Sequence, residues 1–543
     1  MTRPTNILEV IPHPPHGSQP PSIFNDVIGP VMRGPSSSHC AAAVRIGRMA
    51  RDLMAGQLES VLVEFHPSGS LATTHRSQGS DMGLFGGLLG WDATDDRLVD
   101  SGDAIRAAGV EIEIRITDYP ATHPNTYRMT LAGPAGRHTM TAISTGGGMV
   151  EVQEVDGVEL SMVGDFHETL AWAEEGIVTD AAAEGLAREL RMAPSVEEVR
   201  VHRGSSGWLI QVKGRGPLAE ATLERVRGEP GVREVRSISP VLPTLSRSGL
   251  TVPFLSAEEV LEYNRDRELD LWELAVEYEA ARGGTDPAEV LGEMGRIVDL
   301  LQASVRQGMD GTEFSDRILG PQAGFFRDRL GEGRLLPGGI LDTVIPYVAA
   351  LMEVKSAMGV IVAAPTAGAC GALPGACIGA GHALGMDREA LVRGMLAAGL
   401  IGIFISARST FAAEVCGCQA ECGAGSGMAA AALVTLMGGT AREALSASSM
   451  ALQNTLGMIC DPVANRVEVP CLGRNVLAAT NAFACANMAL AGFDAVIPLD
   501  EVIDTMDSVG KSLPHQLRCT ALGGLSVTPT SQRLQRDLDP GQA

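Results

Sequence analysis

The chain has 543 residues, 45% of them hydrophobic and 20% charged, and carries a formal net charge of −23. Its length admits about three domains of ~150–200 residues, each with a sizeable core. Its acidity argues against nucleic acid as a partner, because binding a polyanion needs a cationic face that releases counterions.

The start, "MTRPTNILEVIPHPPHGSQPPS", is Pro-rich and lacks the apolar core of a signal peptide. It reads as a disordered arm over residues 1–22, and the chain is expected to be cytoplasmic. Residues 23–165 read as an α/β domain. "SVLVEFH" and "GVEIEIRITD" alternate like strands. "AAAVRIGRMARDLMAG", after "GPSSSH", has helical spacing and closes on a glycine. Residues 166–245 change pattern. The order is strand "HETLAWAEEG", helix "TDAAAEGLARELRM", strands "VEEVRVHRG" and "GWLIQVKG", helix "PLAEATLERVRG" and strand "VREVRSISPV". That βαββαβ succession predicts a ferredoxin-like unit, either a regulatory ligand-binding module or a structural extension.

"PVLPTLSRSGLTVP" reads as a linker, and residues 246–530 as an all-α bundle. Ser256 and Glu259 have capping-box spacing before "VLEYNRDRELDLWELAVEYEAA", and Asp286-Pro287 opens the next helix. The uncharged stretch "SAMGVIVAAPTAGACGALPGACIGAGHALGM" has the length of a membrane helix, but its Gly and Pro density predicts buried helices and turns, with no membrane partner. The fold class expected is therefore α+β and multidomain.

Ten cysteines in such a chain are not a disulfide framework, so they are reduced thiols, metal ligands or both. Eight lie between Cys370 and Cys485. "CGCQAEC" groups Cys416, Cys418 and Cys422, and "CDPVANRVEVPC" spaces Cys460 and Cys471. Neither matches the C-x2-C spacing of zinc sites or the tight run of ferredoxins. Spacing alone favours buried, inert thiols. Context favours ligands, since Cys460 precedes a helix-breaking Asp-Pro and Cys471 follows Pro470, so both fall at helix ends.

Several motifs in collinear order carry a resemblance. "GPSSSH", "HPNT" and "STGGG" resemble the β-domain of the iron–sulfur L-serine dehydratases. "MGVIVAAPTAGACGALPGA", "EVCGCQAECG", "CDPVANRVEVPCLGRN" and "TALGGLSVTPT" resemble their α-domain, and the middle unit resembles an ACT domain. The resemblance implies a [4Fe–4S] cluster held by Cys418, Cys460 and Cys471, with one iron open. Cys416, Cys422, Cys370, Cys377 and Cys485 are then packing residues. It implies dehydration of a small β-hydroxy amino acid, L-serine first, to pyruvate and ammonia. It also implies an amino-acid effector at the ACT-like unit and a homodimer.

Such a reaction needs a Lewis acid for the hydroxyl and a base for the α-proton. A pyridoxal phosphate route would need a Schiff-base lysine, and none of Lys213, Lys355 and Lys511 lies by a recognisable phosphate cradle. Ser36, Ser37 and Ser38 precede a helix, where they are either plain caps or a carboxylate site. Asn125, Thr126 and Arg474 are the other substrate-binding candidates, with Asn475 beside Arg474. His39, Ser70, His75 and His123 are the catalytic candidates.

The segment "GSLATTHRSQGSD" departs from the family pattern G-S-[FL]-x-x-T-x-[KR]-G-H-x-T-D. Gln78 replaces the His that serves the family as proposed base, and an amide does not titrate usefully. Either His75, His39 or a serine takes the role, or the substrate differs. In an extended loop His75 would point elsewhere. Three other readings stand beside the serine lyase: an L-cysteine lyase, a non-catalytic amino-acid sensor favoured by Gln78, and an electron-transfer protein, against which three ligands count. Some members place a C-terminal cysteine on the open iron. This chain ends "DLDPGQA", and Cys519 lies too far inside to be expected in that role.

Overall fold

The computed structural model describes residues 19–134, 136–205 and 207–538. In the first unit, Ser60–Phe65 alternates half-buried and buried residues, so Val61, Val63 and Phe65 share the core face. It pairs in parallel with Glu111–Ile116 and antiparallel with Thr126–Gly133. Gly136–Gly146, Met149–Val155 and Val158–Met162 extend the sheet to six strands. Helix Ala42–Leu53 buries its apolar stripe with this sheet and packs closely against helix Ser80–Leu88. The approach requires glycine: a Cβ on Gly83 would lie 2.1 Å from the Cys40 carbonyl oxygen, and one on Gly87 2.2 Å from that of Val44.

The middle unit forms the elements expected of it. Its four strands pair antiparallel in the order Val232–Ile238, His167–Glu174, Gly207–Gly214, Val196–Gly204, which is the split βαβ arrangement. Helices Asp180–Leu190 and Glu220–Gly228 share its apolar core. Polar contacts bind this sheet to the first unit. Gln211 Nε2 and Lys213 Nζ donate to the Ser161 carbonyl at 3.1 and 2.7 Å. Lys213 also pairs with buried Glu168 at 3.2 Å, and burial pushes that carboxyl up to about 7.

The rest is helical. Ser256 caps Ala257–Tyr263, but the Glu259 carboxylate accepts from Leu255 rather than from the cap. The helix then stops. Leu271–Gly283 is a second helix with its own capping box from Asp270 and Glu273, and the polar run at residues 264–268 of "VLEYNRDRELDLWELAVEYEAA" marks the break. Pro287–Asp310 starts as predicted. The uncharged stretch holds a short strand, turns and the buried helix Ala372–Ala383. The helix long and apolar enough to cross a membrane is instead Arg388–Arg408, and 83% of its apolar window is buried inside the protein.

Residues 1–18 of the expected arm lie outside the described residues. Pro21 and Ser22 are buried, and Glu279 accepts from Ser22 Oγ at 2.5 Å and Ile23 N at 2.7 Å. Ile23 and Val27 press on Gly399 and Gly402 of Arg388–Arg408. Val31–Met32 pairs with Ile361–Val362. Residues 21–32 thus belong to the helical core, not to the first unit as their place in the sequence suggests. Their apolar side chains complete the surface of that central helix.

Candidate functional site between the two halves

The residues of "CDPVANRVEVPC" fold as a tight loop between two helical segments. Ala464 and Asn465 have left-handed φ of 50° and 55°. Arg466 pairs with Asp316 at 2.7 Å, and Glu468 accepts from Ile318 N and Leu319 N at 2.9 and 2.8 Å. Fully buried Lys355 donates to the Val467 carbonyl. These charged residues hold the loop that carries the two thiols at its ends. Cys471 opens helix Cys471–Leu490, and Cys418 follows the positive-φ turn of Gly417. Cys418, Cys460 and Cys471 are 3%, 6% and 7% exposed.

Two more thiols join them. Cys422 lies beside Cys418, and Cys519 beside Cys460. Cys519, read as too far inside the chain for the ligand role, thus adjoins Cys460, and Cys422, read as a packing residue, adjoins Cys418. Cys416 contacts Asp507, Cys370 the Leu351 carbonyl, Cys377 the Leu391 carbonyl and Cys485 Asn481, as packing thiols do. The Cys422 contact, with Arg474 behind it, holds Cys418 below the usual thiol range. Burial raises Cys471, and burial of Glu421 near Cys418 pushes that carboxyl up to about 8. Among the described residues, no three His, Cys, Asp or Glu side chains are grouped around one point as they would be for a single metal ion.

Arg474 faces the thiols but donates to Asp461 Oδ1 at 2.7 Å and the Ile459 carbonyl at 2.8 Å. Asn475 is a structural tie. Its Oδ1 accepts from Gly371 N and Ala372 N at 3.1 and 2.9 Å, capping Ala372–Ala383, and its Nδ2 donates to the Gly368 and Cys471 carbonyls.

The "GPSSSH" segment lies against this region. Ser36 accepts from His39 N as a cap and bonds His39 Nδ1 at 2.9 Å, while Thr74 bonds Nε2 at 2.8 Å. His39 is wholly buried, and burial pushes its pKa down to about 3, so the ring is neutral. Ser37 Oγ accepts from Ala367 N of the helical half at 3.1 Å. Ser38 and Asn125 face the Glu414 carboxylate, which is also 3.5 Å from His39 Nδ1. Burial raises the Glu414 pKa. Sequence reasoning missed Glu414, whose only signal is a charge inside the apolar run "FAAEVCGC". In "HPNT", His123 Nδ1 accepts from Asn125 N and Thr126 Oγ1 donates to the His123 carbonyl, so the motif is a closed turn.

Residues 70–81 turn helically rather than extending. His75 N and Gln78 N reach back to the Leu71 and Thr74 carbonyls. His75 Nδ1 consequently meets Asp81, while Gln78 Nε2 points to Cys519 Sγ at 3.6 Å. Ser70 Oγ donates to the Cys519 carbonyl at 2.8 Å. His75, Thr73, Ser77, Asn465 and Ala521 border a cavity of about 320 Å³ at this junction.

A family model described as "Serine dehydratase alpha chain" matches residues 266–526. The probable L-serine dehydratase alpha chain of Bacillus subtilis (strain 168) is 35% identical over 288 residues, covering 53% of this chain and 96% of that protein. The L-serine dehydratase alpha chain of Peptoniphilus asaccharolyticus is 36% identical over 283 residues, 52% of this chain and 97% of that one. The probable L-serine dehydratase beta chain of B. subtilis is 44% identical over 144 residues, 26% of this chain and 64% of that one.

Proposed function

The chain belongs to the L-serine dehydratase family, and from that premise we propose that it converts L-serine to pyruvate and ammonia with a [4Fe–4S] cluster held by Cys418, Cys460 and Cys471. The observation that carries this reading is the meeting of these buried thiols from separate turns, beside the "GPSSSH" segment. The donor set fits the group. Each thiol would serve a different iron, so the three need not converge on one point. Thiols that burial keeps protonated lose their protons on binding metal, and Arg474 and Lys355 supply compensating charge nearby.

When bound, the cluster supplies a Lewis acid for the hydroxyl, a poor leaving group. The chain's own residues do the rest. His75 borders the cavity, and Asp81 on its Nδ1 leaves Nε2 to take the α-proton. Ser36, Ser37 and Ser38, at a helix start, suit the substrate carboxylate. The closed turn of His123, Asn125 and Thr126 sets Asn125 toward Glu414, beside Ser38. Neutral His39 holds Ser36 and Thr74, and Ser70 holds the Cys519 loop. Arg474 positions the loop of Cys460 through Asp461. The released aminoacrylate hydrolyses to pyruvate and ammonia.

The split βαβ unit is read as an ACT-like module for an amino-acid effector, in a cytoplasmic homodimer. Gln78 favours a second reading, a sensor that binds an amino acid without turning it over. Anaerobic purification followed by iron and sulfide assay and ammonia release from L-serine and L-cysteine tests both. Cluster with ammonia from L-serine is the expected result. A cluster without ammonia from any substrate selects the sensor, and a chain that binds no iron and makes no ammonia refutes the proposal.

A further inference from the structure

We propose that Glu414 receives the α-ammonium of the substrate, and so makes the chain select an amino acid over a hydroxy acid. This rests on the serine-lyase reading above and adds to it the group that recognises the nitrogen. Glu414 is 6% exposed and stands in the short helix Ala413–Cys416, just before Cys418. It thus shares a stretch of chain with a proposed cluster ligand.

Its carboxylate is buried without a counter-charge. Oε1 lies 3.5 Å from His39 Nδ1, and burial holds that ring neutral, with its pKa at about 3. Among the described residues, no Lys or Arg pairs with Glu414. Oε2 is buried and has no hydrogen-bond partner. Asn125 faces the carboxylate, yet Nδ2 and Oδ1 of its amide are both unpaired. Ser144, whose N donates to the Asn125 carbonyl at 3.0 Å, leaves its own Oγ unpaired too. Buried polar atoms are paired as a rule. Here the unpaired ones come from "HPNT", "STGGG" and "FAAEVCGC", three stretches far apart in the sequence.

Packing fixes the carboxylate in this place. A Cβ on Gly146 would lie 2.7 Å from Ala412 N, and Thr410 Oγ1 donates to the Thr145 carbonyl at 3.3 Å. The segment leading to Glu414 is therefore pressed onto the strand that carries Ser144. A partner for Glu414 must bring donors and a positive charge, and the ammonium of an amino acid brings both. Its charge offsets the burial that raises the Glu414 pKa. The Asn125 amide donates to the same ligand through Nδ2 and accepts from it through Oδ1. A hydroxy acid of the same size offers one hydroxyl donor and no charge. A water between Glu414 and Asn125 would pair the same atoms but give no preference for an amine, and the test turns on that preference.

The test uses the full chain, purified anaerobically with its cluster, as wild type, Glu414→Gln and Glu414→Asp. It compares the KM for L-serine with the inhibition constant of L-glycerate, in which a hydroxyl replaces the ammonium. Wild type should bind L-glycerate at least about tenfold more weakly than L-serine. At equal iron content, Glu414→Gln should raise the KM for L-serine about tenfold or more and leave the L-glycerate constant within about twofold. A purely structural role would weaken both ligands alike, and that result overturns the proposal. Equal binding of the two ligands by wild type overturns it as well, a measurement that holds even where the glutamine variant does not fold. Glu414→Asp keeps the charge and should keep the preference for L-serine; its loss there counts against Glu414. Any of these results in a wild type that makes ammonia sinks this proposal alone. A wild type that makes no ammonia fails the serine-lyase reading with it.

Discussion

His75 Nδ1 and Asp81 Oδ1 are 2.7 Å apart, and both side chains are about one-sixth exposed, at 17% and 16%. The pair arises because the chain reverses at left-handed Gly79, between helices Leu71–Thr74 and Ser80–Leu88, and Asp81 N donates back to the His75 carbonyl at 3.2 Å. Asp81 fixes the ring with its proton on Nδ1, the tautomer a base needs to present Nε2. His75→Ala should therefore lower kcat for L-serine by ~10²–10⁴, the contribution of a positioned base. Asp81→Asn should also lower kcat while leaving the cluster spectrum unchanged. Full turnover by His75→Ala would remove it from the mechanism.

Asn475 should behave as a structural residue. Asn475→Ala leaves the Gly371 and Ala372 N–H groups unpaired in a buried helix start, along with two carbonyls. Each orphaned group costs about 1–3 kcal/mol, so a loss of about 3 kcal/mol is expected in denaturant unfolding. The KM for L-serine of the folded fraction should stay near wild type. A large KM change at full stability would instead make Asn475 a substrate contact.

Gly83→Ala tests the helix approach that positions "GPSSSH". The added methyl would sit 2.1 Å from the Cys40 carbonyl oxygen, inside the turn bearing His39. The two helices must separate, at a cost of roughly 1–3 kcal/mol or more. A lower thermal midpoint and weakened activity should appear together. An unchanged midpoint would mean the pair opens freely.

Much of the fold is readable from local chemistry. The alternation of "SVLVEFH", the βαββαβ succession and the Asp286-Pro287 start each act within a few residues, and each appears where expected. Long-range partners are not readable that way. The Ser22–Glu279 bond spans 257 residues, and nothing in "PPSIF" shows that it completes a helix core. The break before Asp270 falls in the polar run at residues 264–268, which local chemistry alone does not tell from an exposed helical turn. Of the proposed site, Cys418, Cys460 and Cys471 are legible only through motif resemblance. Glu414 and Cys519 are not, since a charge in an apolar run and a cysteine near a chain end look ordinary until their partners are known.

His138 makes the contact between the first unit and the split βαβ unit pH-dependent. Its Nδ1 meets Asp156 at 2.8 Å, its Nε2 meets Glu234 of strand Val232–Ile238 at 3.3 Å, and its ring leans on Trp172. Burial disfavours the charged ring, but Asp156 and then Glu234 outweigh it, and the pKa lies above the ordinary 6.5. A histidine raised by folding stabilises the protein fully below its unfolded value, and that stability is lost as pH rises through the folded value. His138→Gln removes the charge, so the wild-type advantage in thermal midpoint should be largest near pH ~6 and shrink toward pH ~9. Hydrogen exchange in strand Val232–Ile238 should quicken over the same interval in wild type, beyond the intrinsic effect of pH, and not in the variant. A midpoint difference that stays flat across the range would show that His138 acts by shape and not by charge.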